Sequence, residues 1–313
     1  MIIGGISMLL VSSSSAGNAL FGYGSGYDYS SITNRVSNIG IVSADFTGVG
    51  TARSGLSAAG YGMNKAIFGY GSGSGAAVSI TNLVSETGTV SADIAGTGTP
   101  RSGQAAAGYG IDKAIFGFGY QPAYSGNFAG YISFVTLVSN TGVMSADIAS
   151  NGRPRAQLAA AGYGIDKAIF GFGIFDGRNG VSETNLVSNT GVVVSTNDTI
   201  GTGRFFLAAA GYGTDKAIFA YGENPSNNYS SITNLVSNTG VLAADFTNVG
   251  TGRRGLAATR YGLDKAIFGY GITPAAYTSI TNLVSNTGVI SADVTGVGTP
   301  RYSLAAATYG GTP

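Results

Sequence analysis

Apolar and polar positions alternate along this chain in short runs that are cut by turn residues. Lys113-Ala114-Ile115-Phe116-Gly117-Phe118-Gly119 is one such run, and Val135-Thr136-Leu137-Val138 and Val143-Met144-Ser145-Ala146-Asp147 follow it. Ser139-Asn140-Thr141-Gly142, between the last two, is a strong turn signal. Ahead of the first run lies a small-residue stretch, Gln104-Ala105-Ala106-Ala107-Gly108-Tyr109-Gly110, closed by an Ile111-Asp112 turn. Each block predicts a strand, giving four per unit, called a (Ala-rich), b, c and d in chain order. No stretch carries a useful helical period, and each glycine would cost a helix about 1 kcal/mol relative to alanine. The chain therefore reads as all-β.

The unit returns. Lys-Ala-Ile-Phe begins at Lys65, Lys113, Lys167, Lys216 and Lys265, with a degenerate copy from Asn18, so the period is about 48 residues. In strand b, Ala66, Phe68 and Tyr70 are expected on one side and Ile67, Gly69 and Gly71 on the other. Bulky rings of one sheet would then lie over the glycines of the next, each ring removing roughly 150–250 Å² from water. The small residues of strand a suit the place where sheets converge on an axis. A repeated four-stranded sheet with such an inner strand predicts a six-bladed β-propeller spanning residues 17–313. Residues 303–310 repeat strand a with no strand b after them, so they are expected to close the ring on the first blade, residues 18–45. The competing closure uses Ser7–Ser13 as the first strand a, although that segment barely matches the repeat. Residues 1–16 then form an N-terminal arm. They lack a basic leader region, and their glycine-broken apolar run is too short to span a bilayer, so no membrane span is expected.

The run Arg-x-x-Leu-Ala-Ala-Ala-Gly-Tyr-Gly-x-Asp-Lys-Ala-Ile-Phe-Gly-Tyr-Gly, followed by Thr-Asn-Leu-Val-Ser-Asn-Thr-Gly, resembles a kelch repeat over about residues 17–311. Pro100-Arg101, Pro154-Arg155 and Pro300-Arg301 stand where kelch repeats have Pro-Arg before the innermost strand. Gly-Tyr-Gly or Gly-Phe-Gly replaces the family's double glycine, and the tryptophan usual in the fourth strand gives way to Val, Ile, Leu or Met. The wording of the repeat also resembles arrays in bacteriophage and marine environmental sequences. That likeness implies a structural or adhesive part of a phage or virus-like particle, at its surface or tail, with other particle subunits or a surface glycan as partners. A secreted, lectin-like binder or scaffold is the alternative.

Charge narrows the chemistry further. Charged residues make up 10% of the 313 residues and the net charge is +1, which lacks the basic footprint of a nucleic-acid binder. Histidine and cysteine are absent, so disulfides, thiolate or imidazole metal sites and a copper radical centre are excluded. No cofactor is expected, and no loop has a nameable calcium-ligand spacing. General acid–base work would fall to scattered carboxylates such as Asp176, Glu183 and Glu223. A glycan hydrolase built on two of them is the remote reading, and no enzyme is expected.

The a–b and c–d turns barely vary between units, whereas the b–c loops vary in length and content. Those loops carry Tyr27, Tyr29, Tyr120, Tyr124, Phe128, Tyr131, Phe175, Tyr229 and Tyr277. Aromatic side chains on variable loops suit a sugar face or a protein partner, against the bland reading that unconstrained loops drift. Arg53, Arg101, Arg155, Arg204, Arg253 and Arg301 stand just before strand a in each unit. They form either an anion-binding ring or structural ion pairs with Asp45, Asp93, Asp147, Asp245 and Asp293. Regular counts favour ion pairs, each Asp with the Arg eight residues after it, and Thr196 fills the Asp position in the fourth copy.

Overall fold

The computed structural model describes residues 17–122, 130–177, 179–196, 199–247 and 249–311. The fold is all-β. Among the described residues, antiparallel strands form six main sheets and one two-stranded hairpin, Tyr120–Gln121 with Gly130–Tyr131. A typical sheet pairs Ser57–Tyr61 with Lys65–Gly69 and the latter with Thr81–Val84. In the sheet built on Asn18–Gly22 and Thr33–Val36, the inner strand comes from the other end of the chain: Ala305–Tyr309 pairs antiparallel with Asn18–Gly22. Every inner strand also packs against the inner strand of the next sheet, and Ala305–Tyr309 packs against both Ala257–Tyr261 and Ser57–Tyr61. The neighbour relation is therefore a closed cycle.

The expected fourth strand is continuous in only two sheets, as Val193–Ser195 and Phe246–Thr247. Elsewhere it touches strand c through isolated bridges, for example Val36 with Val42 and Thr33 with Phe46. Three steps on strand c face four on the outer segment, which is the signature of a β-bulge. Ser43 sits in the bulge and accepts the Arg35 amide through its hydroxyl at 2.9 Å. The copy around Val193 runs in unbroken register instead: Asn185, Leu186 and Val187 oppose Ser195, Val194 and Val193.

The core is not one mass but six layers, each between two neighbouring sheets. Leu20 and Tyr23 meet Ala66 and Phe68 in one layer; Ile67 and Tyr70 meet Ala114 and Phe116 in the next. Phe68 and Tyr70 thus face opposite neighbours, which corrects the alternation expected from the sequence. The reason is the backbone at Tyr70, whose φ of 62° lies in the left-handed region and breaks the strand's two-residue period. Gly69 keeps the expected role, because a Cβ there would stand 3.0 Å from a Phe116 ring carbon.

Each strand b ends in such a left-handed ring, Tyr23, Tyr70, Phe118, Phe172, Tyr221 or Tyr270. Two partners from the next sheet hold it. A phenylalanine packs against it at 5.0–5.6 Å between centroids, as Phe68 does on Tyr23 and Phe21 on Tyr270. The arginine that precedes the next strand a lies over it, with the guanidinium carbon 4.1–4.4 Å from the centroid. All six arginines are buried. Arg53 donates Nε to Tyr70 O at 2.8 Å, Nη1 to Thr51 O at 3.1 Å and Nη2 to Asn82 Oδ1 at 2.8 Å. One side chain therefore bonds its own sheet and stacks on the previous one. A desolvated cation–π contact of this kind contributes up to about 2 kcal/mol.

Backbone hydrogen bonds close the same cycle. At the start of each strand a, Gly55, Gly103, Gln157, Phe206, Gly255 and Ser303 donate their amides in turn to the carbonyl of the preceding member, at 2.6–2.9 Å. All six have positive φ. A second set runs at the a–b turns, where Gly62 donates to Asp112 O, Gly262 to Gly17 O and Gly310 to Asn64 O. The seam between the chain ends is thereby bonded like every other junction.

Arg155 isolates the value of this arrangement, because its copy lacks the aspartate. Burial lowers its guanidinium to about 10, so it stays protonated at neutral pH. Arg155→Ala should lower unfolding stability by about 3 kcal/mol, since Asn185 Oδ1 and Phe172 O lose a charged donor inside the protein. Arg155→Lys should recover less than half, because an ammonium cannot reproduce the fork. Urea unfolding followed by far-UV circular dichroism measures both; a loss below about 0.5 kcal/mol for the alanine variant would contradict this role.

Candidate functional site

The six arginines are the first candidates, and their geometry decides between the two readings. Fully buried and bonded within the protein, they offer no exposed anion site. The expected partner eight residues earlier is wrong in register. Arg101 pairs with Asp147 at 2.8 Å, not with Asp93, and Arg204 lies 3.9 Å from Asp245. Asp45, Asp93 and Asp293 feel the charges of Arg301, Arg53 and Arg253 respectively. The chain crosses to the next sheet between an aspartate and the arginine that follows it. The arginine's true partner comes from the outer segment of its own sheet, as Asp147 does for Arg101, 46 residues later, and for Arg301 that segment is at the other end of the chain, with Asp45. Arg155, not Arg204, is therefore the arginine whose sheet lacks the aspartate, because Thr196 takes that position and bonds Thr184 Oγ1 at 2.8 Å; the carboxylate whose charge acts on Arg155 is Glu183 instead.

Each aspartate also fastens the connection between sheets. Asp93 accepts the Thr51 amide and, at 2.6 Å, the Thr51 hydroxyl, and it receives Asn82 Nδ2 at 2.9 Å. Asp45 does the same for Thr299 and Asn34 across the chain-end seam. Burial alone would raise these carboxyls. The hydrogen bonds from Thr, joined in four of the five by one from Asn, outweigh it together with the arginine charge and hold all five below their ordinary values.

The b–c loops bring some of the expected aromatic residues together. Tyr27, wholly exposed, meets the edge of Tyr277 at 6.1 Å, and Tyr277 stacks on Tyr302 at 5.4 Å with planes 9° apart. Tyr29 is 42% exposed and near enough to influence the Tyr302 hydroxyl, which burial raises above its ordinary value. This cluster stands at the seam between the first and last units. Tyr120 and Tyr131 form a second, edge-to-face pair at 5.6 Å within the hairpin. Phe175 lies under Arg153 at 4.6 Å, and Arg153 bridges to Glu183 at 2.9 Å. Tyr229 lies against Arg254, whose guanidinium also covers Phe206 and pairs with buried Glu223. Tyr124 and Phe128 lie outside the described residues.

Tyr302, Arg254 and Phe206 escaped the sequence reading. Tyr302 and Arg254 occupy the position directly after the buried arginine, filled in the six units by Ser54, Ser102, Ala156, Phe205, Arg254 and Tyr302. This position bridges the start of each b–c loop, as in Arg254 with Ile272 and Tyr302 with Ser25. Its variability beside an unvarying arginine was the available signal.

Strand a starts enclose an axial cavity of about 120 Å³ on the loop side, lined by Leu56, Leu158, Leu207, Leu256 and Leu304 and, in the remaining copy, Gln104. Gln104 donates Nε2 to Ser57 Oγ and Gly69 O, both at 3.1 Å. Among the described residues no group of three or more Asp, Glu, His or Cys side chains gathers as for a metal, and no helix is long and apolar enough to cross a membrane. In comparisons with known proteins, no family model and no curated protein matches the chain.

The aspartate geometry fixes an acid response. Their folded values lie below the unfolded one of about 3.9, so their contribution is complete above that value and is lost as pH falls through the folded values. The melting temperature should stay nearly level between about pH 8 and 5 and drop progressively below about pH 4. Asp147→Asn should blunt that acid limb while lowering stability at neutral pH, measured by calorimetry across the series. An unchanged limb in Asp147→Asn would refute the assignment for that residue.

Proposed function

We propose that the six sheets are the blades of a closed, kelch-like β-propeller, and that it works as a non-enzymatic structural or adhesive module through its b–c loops. The cycle of inner-strand contacts and the pairing of Ala305–Tyr309 with Asn18–Gly22 support the architecture. Support for binding comes from one observation above all: the Tyr27, Tyr277 and Tyr302 stack stands on the variable-loop face with Tyr27 wholly exposed. Three phenol rings present flat apolar faces with hydroxyls at their rims, a surface suited to a pyranose ring or to a partner subunit. Catalysis has less to draw on, because two of the candidate carboxylates, Glu183 and Glu223, are tied to Arg153 and Arg254.

The placement on a phage or virus-like particle, at its surface or tail, rests on the resemblance of the repeat wording to such arrays. In that reading one face anchors the module and the loops face a host glycan or a neighbouring subunit. A free, secreted lectin-like binder is the second reading, and the same stack favours it equally.

Native mass spectrometry of material from its source separates them: a particle of megadalton mass is expected for the first, a species near 31.3 kDa for the second. Glycan-array binding then tests the loop face. Tyr277→Ala should weaken binding at least tenfold, about 1.4 kcal/mol, while the melting temperature moves by no more than a few degrees. Retention of full binding by Tyr277→Ala would remove the stack from the site.

A further inference from the structure

The face opposite the variable loops is apolar in a regular way. It is built from the a–b and c–d turns, which interlock from sheet to sheet: a Cβ on Gly62 would stand 2.8 Å from Asn140 O, and one on Gly110 2.9 Å from Asn189 O. Around the axial cavity the a–b turns carry Met63, Ile111, Ile165 and Leu263, between 51% and 79% exposed. Further from the axis, the residue after the c–d turn glycine is Ile or Val in five of six units, as in Ile41, Val143 and Val289, and these are 58–66% exposed. With Ile39, ten apolar side chains of the described turns are more than half exposed. They present on the order of 1,000 Å² of apolar surface, above the few hundred Å² common on a monomer and sufficient for the roughly 800 Å² per partner of a stable interface.

Folding does not account for the inner ring. Met63, Ile111 and Ile165 have φ between 67° and 73°, a left-handed conformation that disfavours β-branched side chains most. Glycine or asparagine would relieve that strain and suit water better.

The charges of this face select its occupant. All five lysines of the chain open strand b here. Four bridge to the aspartate one residue before, at 2.9–3.5 Å, and Glu86, which accepts Asn64 Nδ2 at 2.8 Å, is a fifth acidic group. The turns thus balance lysines against acids, in pairs of opposite sign that recur around the rim. Such a rim offers no net attraction to an anionic lipid or a nucleic acid. It fits a surface with apolar rings of the same spacing and charge pairs of the same period, and the same face of a second copy has both.

We propose that the turn face is the contact surface of a homodimer. Two copies meet face to face about a two-fold axis, apolar rings together, with lysines of one rim opposite aspartates of the other. The contact is isologous, so it closes at two copies and leaves both sets of b–c loops facing outward. Buried area does not convert directly into affinity, and the pair is expected to dissociate on dilution. The 31.3 kDa species expected of a free binder is then the dilute form, and twice that mass, about 63 kDa, the concentrated one. The inference rests on the turns and does not depend on what the loops bind.

Sedimentation velocity of the full chain tests it, from about 0.1 µM to about 100 µM, a range that brackets the weaker interfaces of this size. The mass should move from 31.3 kDa to twice that value. A monomer throughout would overturn the proposal, and so would growth beyond two copies. Ile111→Asp/Ile165→Asp should weaken pairing at least tenfold while the melting temperature moves by no more than a few degrees, because left-handed backbone accepts Asp more readily than Ile. Undiminished pairing in that folded variant would also overturn it. Carbodiimide cross-linking of mixed unlabelled and isotope-labelled chains needs no variant. Mixed-isotope peptides should join a turn lysine to a turn aspartate, as Lys113 to Asp166; mixed links confined to a loop carboxylate such as Asp176 would place the contact elsewhere and refute it. Tyr277→Ala should leave the pair intact, so a failure of the loop-face reading is distinguishable from a failure of this one.

Discussion

The structure depends on a single recurring contact: a buried guanidinium lying over the aromatic ring that ends strand b of the preceding sheet. Each small sheet has two apolar faces and too few strands to be stable alone. Hydrophobic burial drives the sheets together but has no direction. The arginine supplies the direction. Its hydrogen bonds reach a strand-b carbonyl and a strand-c side chain of its own sheet, so its position is fixed before it meets the neighbour's ring. A slip of one sheet against the next would leave a buried charge without its bonds, a loss larger than that of any apolar contact in the layer. The left-handed tyrosine or phenylalanine beneath it is the complementary device. A strained backbone turns the ring towards the neighbour that supplies both its phenylalanine and its arginine.

Much of this was legible in the repeat. Strand order followed from the turn signals, and the glycine that receives a neighbouring ring was identifiable from alternation in the second strand. Two features were not legible, and both have a physical cause. Alternation fails at Tyr70 because a single left-handed residue inverts it, and Gly-Tyr-Gly reads equally well as a strand continuing outward. The arginine's carboxylate was misassigned because nearness in sequence competes with membership of a sheet. Asp93 and Arg101 are eight residues apart, yet they belong to successive sheets, while Arg101 and Asp147 share one. The outer strand was overcalled for a related reason: a bulge that aims the aspartate inward breaks the ladder, and alternation alone does not reveal an inserted residue. In the loops, the sequence showed which aromatic residues vary but not which would meet. Tyr27 and Tyr277 lie at opposite ends of the chain, and the seam brings them together.

The contrast between the two faces follows from hydrogen bonding rather than from use. On the turn face, side chains of one turn bond those of the other: Asn140 donates to Asp112 at 3.0 Å and Asn189 to Asp166 at 3.1 Å. The Tyr61 ring from the inner strand of a neighbouring sheet lies where a Cβ on Gly142 would stand. A change in either turn disturbs its partner, so Asp-Lys and Ser-Asn-Thr-Gly recur in nearly every unit for structural reasons alone. That makes the departures on this face informative. The residue after the turn glycine is the one turn position not engaged in these bonds, and there the chain places Met63, Ile111, Ile165, Thr214 and Leu263. The b–c loops are free of the coupling because the arginine and the strand starts close the cycle beneath them. Variation there costs the fold little, which is why it accumulates. It gains meaning only where side chains from separate loops converge, as the tyrosines do at the seam.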